Sequence, residues 1–201
     1  MPLGWHAGFE DTATMHPLLR ALRRQQRRQN PSAGENDVND FQRLHDGEQV
    51  AWEQFVVAWS SRLYPYLAAL LHHPDAVQEV LCATLLALVQ TIRCLETPVP
   101  LVPLVYAAAY RQVMECRHHP GRPQSADQLR LASATPFNDA FSAALAALPL
   151  QVQQILLLRY QAGLSVRELA QVLGCSYQTT EALLSQARHQ FETELWRQSG
   201  A

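Results

Sequence analysis

Apolar residues spaced three and four apart run through most of this sequence, and that period constrains the fold more than any other feature. Between Asp46 and Leu71, Val50, Trp52, Phe55, Val56, Trp59, Leu63, Tyr66, Leu67 and Leu70 recur at helical steps, whereas alternating strand patterns closed by Asn-Gly or Asp-Gly turns are missing. The expectation is an all-α protein. Trp52 and Trp59 fall on one helical face and read as core, and Pro65 is expected to kink or break the segment, so that two short helices or one bent helix would serve. His72, His73 and Pro74 then interrupt. Asp75 is expected to cap a very apolar helix, DAVQEVLCATLLALVQTIR, buried on most sides. Pro98, Pro100 and Pro103 lead stiffly into another helix, from Leu104 to about His118.

Pro120, Gly121, Pro123 and Pro136, with several small polar residues among them, give positions 119–136 the composition of a linker. With 201 residues the chain suits one large domain or two small ones, and this break favours two. The expected division is an N-terminal extension over 1–37, a first domain over 38–118, the linker over 119–136, and a second domain over 137–201. The extension carries a short basic helix, His16 to Gln29, with Leu18, Leu19 and Leu22 on one side and arginines on the other. Asn138 is the candidate cap of the first helix after the linker.

Charge narrows the function classes. Every one of the 16 basic residues is arginine, and 18 acidic residues bring the formal net charge to -2, so the whole molecule is no general polyanion binder. The N-terminal 30 residues are basic and positions 35–117 acidic. The start, MPLGWHAGFEDTATMH, lacks the charged, apolar and small-residue sections of a secretion signal. No membrane-spanning stretch is read, so a cytoplasmic location is expected. Cys82, Cys94, Cys116 and Cys175 form no Cys-x-x-Cys pair and are expected to be reduced, mostly buried thiols. Cys116, His118 and His119 cluster without a fourth donor, which favours a helix end over a metal site. No nucleophile-base pair and no glycine-rich phosphate loop occur, so neither an enzymatic activity nor a cofactor is expected.

The most informative stretch is GLSVRELAQVLGCSYQTTEALLSQARHQFETEL, which begins at Gly163 and has the grammar of a helix-turn-helix. Ser165 and Glu168 are spaced as a capping box, Ala170 is small where two helices approach, and Gly174 suits a left-handed turn. Ser176 can cap the second helix, whose inward residues would be Thr180, Leu183, Leu184 and Ala187. Tyr177, Gln178, Thr179 and Glu181 then stand near its exposed start, where a recognition helix meets the major groove. A plain helical hairpin would share much of this pattern.

The longer stretch ALAALPLQVQQILLLRYQAGLSVRELAQVLGCSYQTTEALLSQAR resembles the fourth conserved region of bacterial sigma factors, in the compact extracytoplasmic-function group. Upstream, DGEQVAWEQFVVAWSSRLYPYLAALL and PDAVQEVLCATLLALV look like the second sigma region. Together the two matches cover about residues 40–196. The resemblance implies a two-domain initiation factor: a region 2-like bundle and a region 4-like helix-turn-helix. The first would bind RNA polymerase core and open the promoter -10 element, and the second would read the -35 element. Asp75, Gln78 and Glu79 are the polymerase contacts so implied. Tyr106, Tyr110, Arg111 and Arg117 are those for the -10 element, and Ser176, Tyr177, Gln178, Thr179, Glu181 and Arg188 those for the -35 element. A regulatory partner such as an anti-sigma protein is also implied, and no membrane.

The sequence departs from the family pattern on both nucleic-acid surfaces. Where relatives place Lys or Arg along the last helix, this chain has Glu181, Leu183, Gln186 and His189. Fewer cations neutralise fewer phosphates and weaken DNA binding. On the melting helix, Leu104 stands where an aromatic is expected and Arg111 where an asparagine is, while His118 and His119 replace basic residues. These departures leave open a second reading, a sigma-like interaction module that no longer recognises promoters.

Overall fold

The computed structural model describes residues 36–71, 73–118 and 136–199, and these residues form eight α-helices with no strand among them. They are α1 (Asn36–His45), α2 (Gln49–Leu70), α3 (Pro74–Cys94), α4 (Leu101–His118), α5 (Pro136–Ala146), α6 (Leu150–Tyr160), α7 (Val166–Leu173) and α8 (Tyr177–Ser199). The basic N-terminal segment and the linker expected from the sequence lie outside the described residues.

The first four helices pack on one another. Phe41 and Leu44 of α1 are buried, and the chain reverses at Gly47, whose φ of 78° is open to glycine at little cost. Across this turn Arg43 holds Glu48 through two 2.7 Å hydrogen bonds, and the Trp52 indole N–H donates to the Leu44 carbonyl at 2.9 Å. In α2, Ala51, Phe55, Trp59, Leu63, Tyr66, Leu67 and Leu70 point inward, whereas Val50 and Val56 of the expected periodic set are exposed and Trp52 is half-buried. Trp59, Tyr106 and Tyr66 meet edge to face, with ring centroids 5.8 Å apart in both pairs.

Of the two short helices or one bent helix that the sequence allowed, α2 is a single helix through Pro65. Proline removes one backbone donor, and because Pro65 is exposed, water can satisfy the carbonyl left over. Asp75 is not the cap of α3: His73 holds that position, Pro74 opens the helix and Asp75 sits in the first turn. Helix α3 is not buried on most sides; Ala76, Val77, Val80, Thr84, Leu88 and Ile92 face the core, while Gln78, Glu79, Cys82, Leu86 and Gln90 face solvent. Its length and apolar composition would also let it cross a membrane, a feature the reading of the sequence passed over; in this fold one face packs on α2 and α4. Helix α4 starts at Leu101, ahead of Pro103, because proline is tolerated in a first turn. Helix α5 starts at Pro136, which places Asn138 inside the helix instead of at its cap. No disulfide joins the four cysteines, but Cys82, Cys94 and Cys175 are exposed and Cys116 half-buried, contrary to expectation.

The last four helices pack around α6, and their buried residues join those of the first four in one continuous core. Gln153 to Leu158 and Tyr160 are all buried, so α6 is enclosed over most of its length, with Gln151 exposed at its start. Gln153 satisfies its amide by donating to the Leu148 carbonyl at 2.7 Å. The two groups of helices also touch: α4 packs on α7, and α2 packs on α6.

Candidate nucleic-acid interface

The geometry of α7, its turn and α8 is that of a helix-turn-helix. Ser165 caps α7 by accepting from the Glu168 N–H at 3.2 Å, and the Glu168 carboxylate accepts from the Ser165 N–H at 2.7 Å. Both partners of the capping box are thus present. Gly174 ends α7 at φ 64°, with its N–H directed to the carbonyls of Ala170 and Gln171. A Cβ at Gly174 would meet nothing within 4 Å, so backbone conformation alone calls for glycine there. Ala170 is buried.

Ser176 starts α8. Its hydroxyl accepts from the Thr179 N–H at 3.1 Å, and its carbonyl accepts from the Thr180 hydroxyl at 2.9 Å. Thr180, Leu184, Ala187, Phe191 and Leu195 turn inward, with Phe191 edge-on to Phe141 at 5.0 Å, and Leu183 is half-buried. This inward stripe fixes the rotation of the helix. Ser176, Tyr177, Gln178, Thr179 and Glu181 are consequently brought together on its exposed start.

Arg188 sits apart from them. It is half-buried, and its guanidinium lies over the Tyr160 ring, 5.9 Å from the centroid. Two other arginines, which the sequence reading did not single out, reach the start of α8. The Glu181 carboxylate accepts a hydrogen bond from Tyr177 and raises the pKa of that phenol, while Arg167 and Arg159 lie close enough to oppose the shift. Arg167 is exposed in the first turn of α7, and Arg159 donates to the Leu164 carbonyl. Their only sequence signal was position, flanking the turn that precedes the motif.

The residues expected on the melting helix α4 are not all on one surface. Tyr106 is 5% exposed and packs between Trp59 and Tyr66, so in this conformation it is a core residue and not a free stacking platform. Burial pushes its pKa up to about 12. Tyr110 is half-buried, with its pKa raised by burial and by the neighbouring Cys175 in the turn of the helix-turn-helix. Arg111 is exposed and donates to the Ala107 carbonyl of its own helix at 3.3 Å. Arg117 lies in the last turn of α4, and its side chain is outside those described. His118 ends the same helix and His119 lies beyond the described residues.

The residues expected to meet polymerase share one surface. Asp75, Gln78 and Glu79 are exposed along α3, and the same face continues through Cys82 to Leu86, which is 66% exposed.

Comparison with known proteins adds to this geometry. A search of curated proteins by sequence returns no match. Among solved structures, the chain is similar to that described as the structure of CnrH in complex with the cytosolic domain of CnrY. The TM-score is 0.63 at 19% identity, over 79% of this chain and 96% of that one. This likeness carries the fold and takes in both groups of helices. The family model for sigma-70, region 4, matches residues 138–190, which take in α6, α7 and the greater part of α8. The helix-turn-helix of α7 and α8 thus lies within the segment similar to sigma-70, region 4.

Proposed function

We propose that the protein is a transcription initiation factor of the extracytoplasmic-function type, acting in the cytoplasm and without catalytic chemistry of its own. It binds RNA polymerase core and directs it to promoters. The observation that carries this reading is the start of α8: Ser176 caps it, the inward stripe from Thr180 to Leu195 orients it, and polar side chains crowd its exposed end within a region 4 match. A helix so presented fits the major groove of a -35 element. The exposed face of α3 bearing Asp75, Gln78 and Glu79 docks on polymerase, and α4 serves the -10 element through Tyr110, Arg111 and Arg117. Tyr106 joins them only after a rearrangement of its aromatic neighbours.

The likeness to CnrH, solved with the cytosolic domain of CnrY, supports a further element of the reading, namely control by a regulatory protein. A second reading is favoured by two specific observations, the lone carboxylate at the start of α8 and the buried Tyr106. Under it the protein binds polymerase or a regulator without reading promoters. In-vitro transcription with the source organism's polymerase core, on fragmented genomic DNA with sequencing of RNA starts, separates the two. Discrete starts that share paired -35 and -10 motifs establish the initiation factor. Stable core binding without discrete starts establishes the interaction module.

A further inference from the structure

Helix α2 is apolar on two faces, and one of them is turned to solvent. The inward face is the core stripe from Ala51 to Leu70. Opposite it, Val50, Val57 and Tyr64 repeat every seven residues and are 52%, 69% and 50% exposed, with Val56 exposed beside them. Seven residues make close to two turns, so the three side chains form one line about 21 Å long. Gln54 and Ser61 are exposed between them. A single exposed valine needs no explanation, but an apolar line along most of a helix marks a docking surface.

The surroundings of this line are acidic. Asp37, Asp40, Asp46, Glu48 and Glu53 lie in α1, the turn and the first part of α2, against Arg43 and Arg62. Both of these cations are engaged: Arg43 holds Glu48 at 2.7 Å, and Arg62 lies over the Trp59 ring, 5.2 Å from its centroid. Asp40, Asp46 and Glu53 are exposed, and Glu53 stands one turn from both Val50 and Val57. A second copy would bring the same carboxylates against one another, and a nucleic acid would bring phosphates. The occupant that fits is apolar and cationic.

This chain carries such a segment. Positions 16–29, HPLLRALRRQQRRQ, outside the described residues, make as a helix about 21 Å, the length of the line on α2. At helical spacing Leu18, Leu19 and Leu22 share a face with Gln25, Gln26 and Gln29, and all five arginines fall on the other. Leucine with glutamine on one side matches valine with glutamine and serine on the other. A helix this short is marginal in water, so it requires a surface on which to form. Positions 30–35 join it to α1, which packs on α2, and six residues span up to about 20 Å, enough to pass around one helix.

We propose that positions 16–29 fold back as a helix on the outer face of α2, with the leucines on the line of Val50, Val57 and Tyr64 and the arginines among the carboxylates around it. Nothing in this docking depends on whether the protein reads promoters.

Hydrogen exchange on the full chain, read by mass spectrometry, is the test. The amides of positions 18–29 are expected to exchange about tenfold more slowly than in an unstructured chain, and equally so at low and high protein concentration. Val57→Asp and Leu22→Asp are each expected to abolish that protection, while the amides of α2 keep theirs. Tyr64→Asp, on the same line, repeats the measurement should Val57→Asp loosen α2. Glu53→Lys is expected to weaken the protection, and by less as salt rises. Absence of protection in the native protein overturns the docking, as does protection that survives an aspartate on the line with α2 intact. Protection that grows with protein concentration overturns it in favour of a second copy as the occupant.

Discussion

Replacing Glu181 by lysine is expected to strengthen duplex DNA binding and to steepen its dependence on salt. Glu181 is exposed one turn into α8, and among the residues exposed from Ser176 to Ala182 it alone carries a formal charge. The substitution removes a carboxylate that repels phosphate and supplies a cation in its place. If the new ammonium neutralises one phosphate, the slope of log affinity against log salt steepens by about 0.9, an extra gain of roughly 3.5-fold between about 200 and 50 mM salt. Glu181→Gln separates the two effects, since it relieves repulsion without adding a counterion to release. Fluorescence anisotropy on a labelled duplex, titrated across that salt range, reads both quantities. Identical slopes for the native protein and the lysine variant would refute the argument, because they would show that the start of α8 does not face the phosphates.

Three further outcomes follow from the fold. Ser165→Ala breaks the capping box of α7 and is expected to cost about 1 kcal/mol by urea denaturation; an unchanged midpoint would show that the paired hydrogen bonds contribute nothing. Gly174→Ala meets no atom, so its expected cost is the left-handed backbone alone, about 1–2 kcal/mol, and a neutral result would contradict the φ of 64°. Stability is expected to fall with rising pH between about 10 and 12. Burial raises Tyr66 well above its ordinary value of 10.0 and Tyr106 to about 12, so above pH 10 the unfolded chain loses protons that the folded protein keeps. Urea midpoints measured across that range should drop, and Tyr106→Phe should flatten part of the drop; a flat native profile would count against burial of these phenols.

Local rules made much of this protein legible before any coordinates. The helical period placed Phe55, Trp59, Leu63, Tyr66 and Leu70 on one buried face, because burial and periodicity are the same constraint seen twice. The capping box at Ser165, the left-handed Gly174 and the cap at Ser176 depend on neighbours within four residues, so each could be read from spacing. Arg167 and Arg159 could not, since their relation to Tyr177 arises only when α6, α7 and α8 fold together. The sequence left open whether α2 passes Pro65 as one bent helix or as two short ones, because the penalty for proline depends on whether water reaches the freed carbonyl.

The sequence by itself determined the helices from α2 onward to within a few residues, the helix-turn-helix and the exposed start of α8, since these rest on short-range backbone and patterning rules; helix α1 was not read from it. Only the tertiary structure decided that Tyr106 is core, that Arg188 leans on Tyr160, and that Tyr66 finds Gln154 across the two groups of helices. The reason is physical: a side chain's accessibility and its hydrogen-bond partner depend on which distant surfaces cover it, and residues 88 positions apart carry no spacing that reveals their meeting.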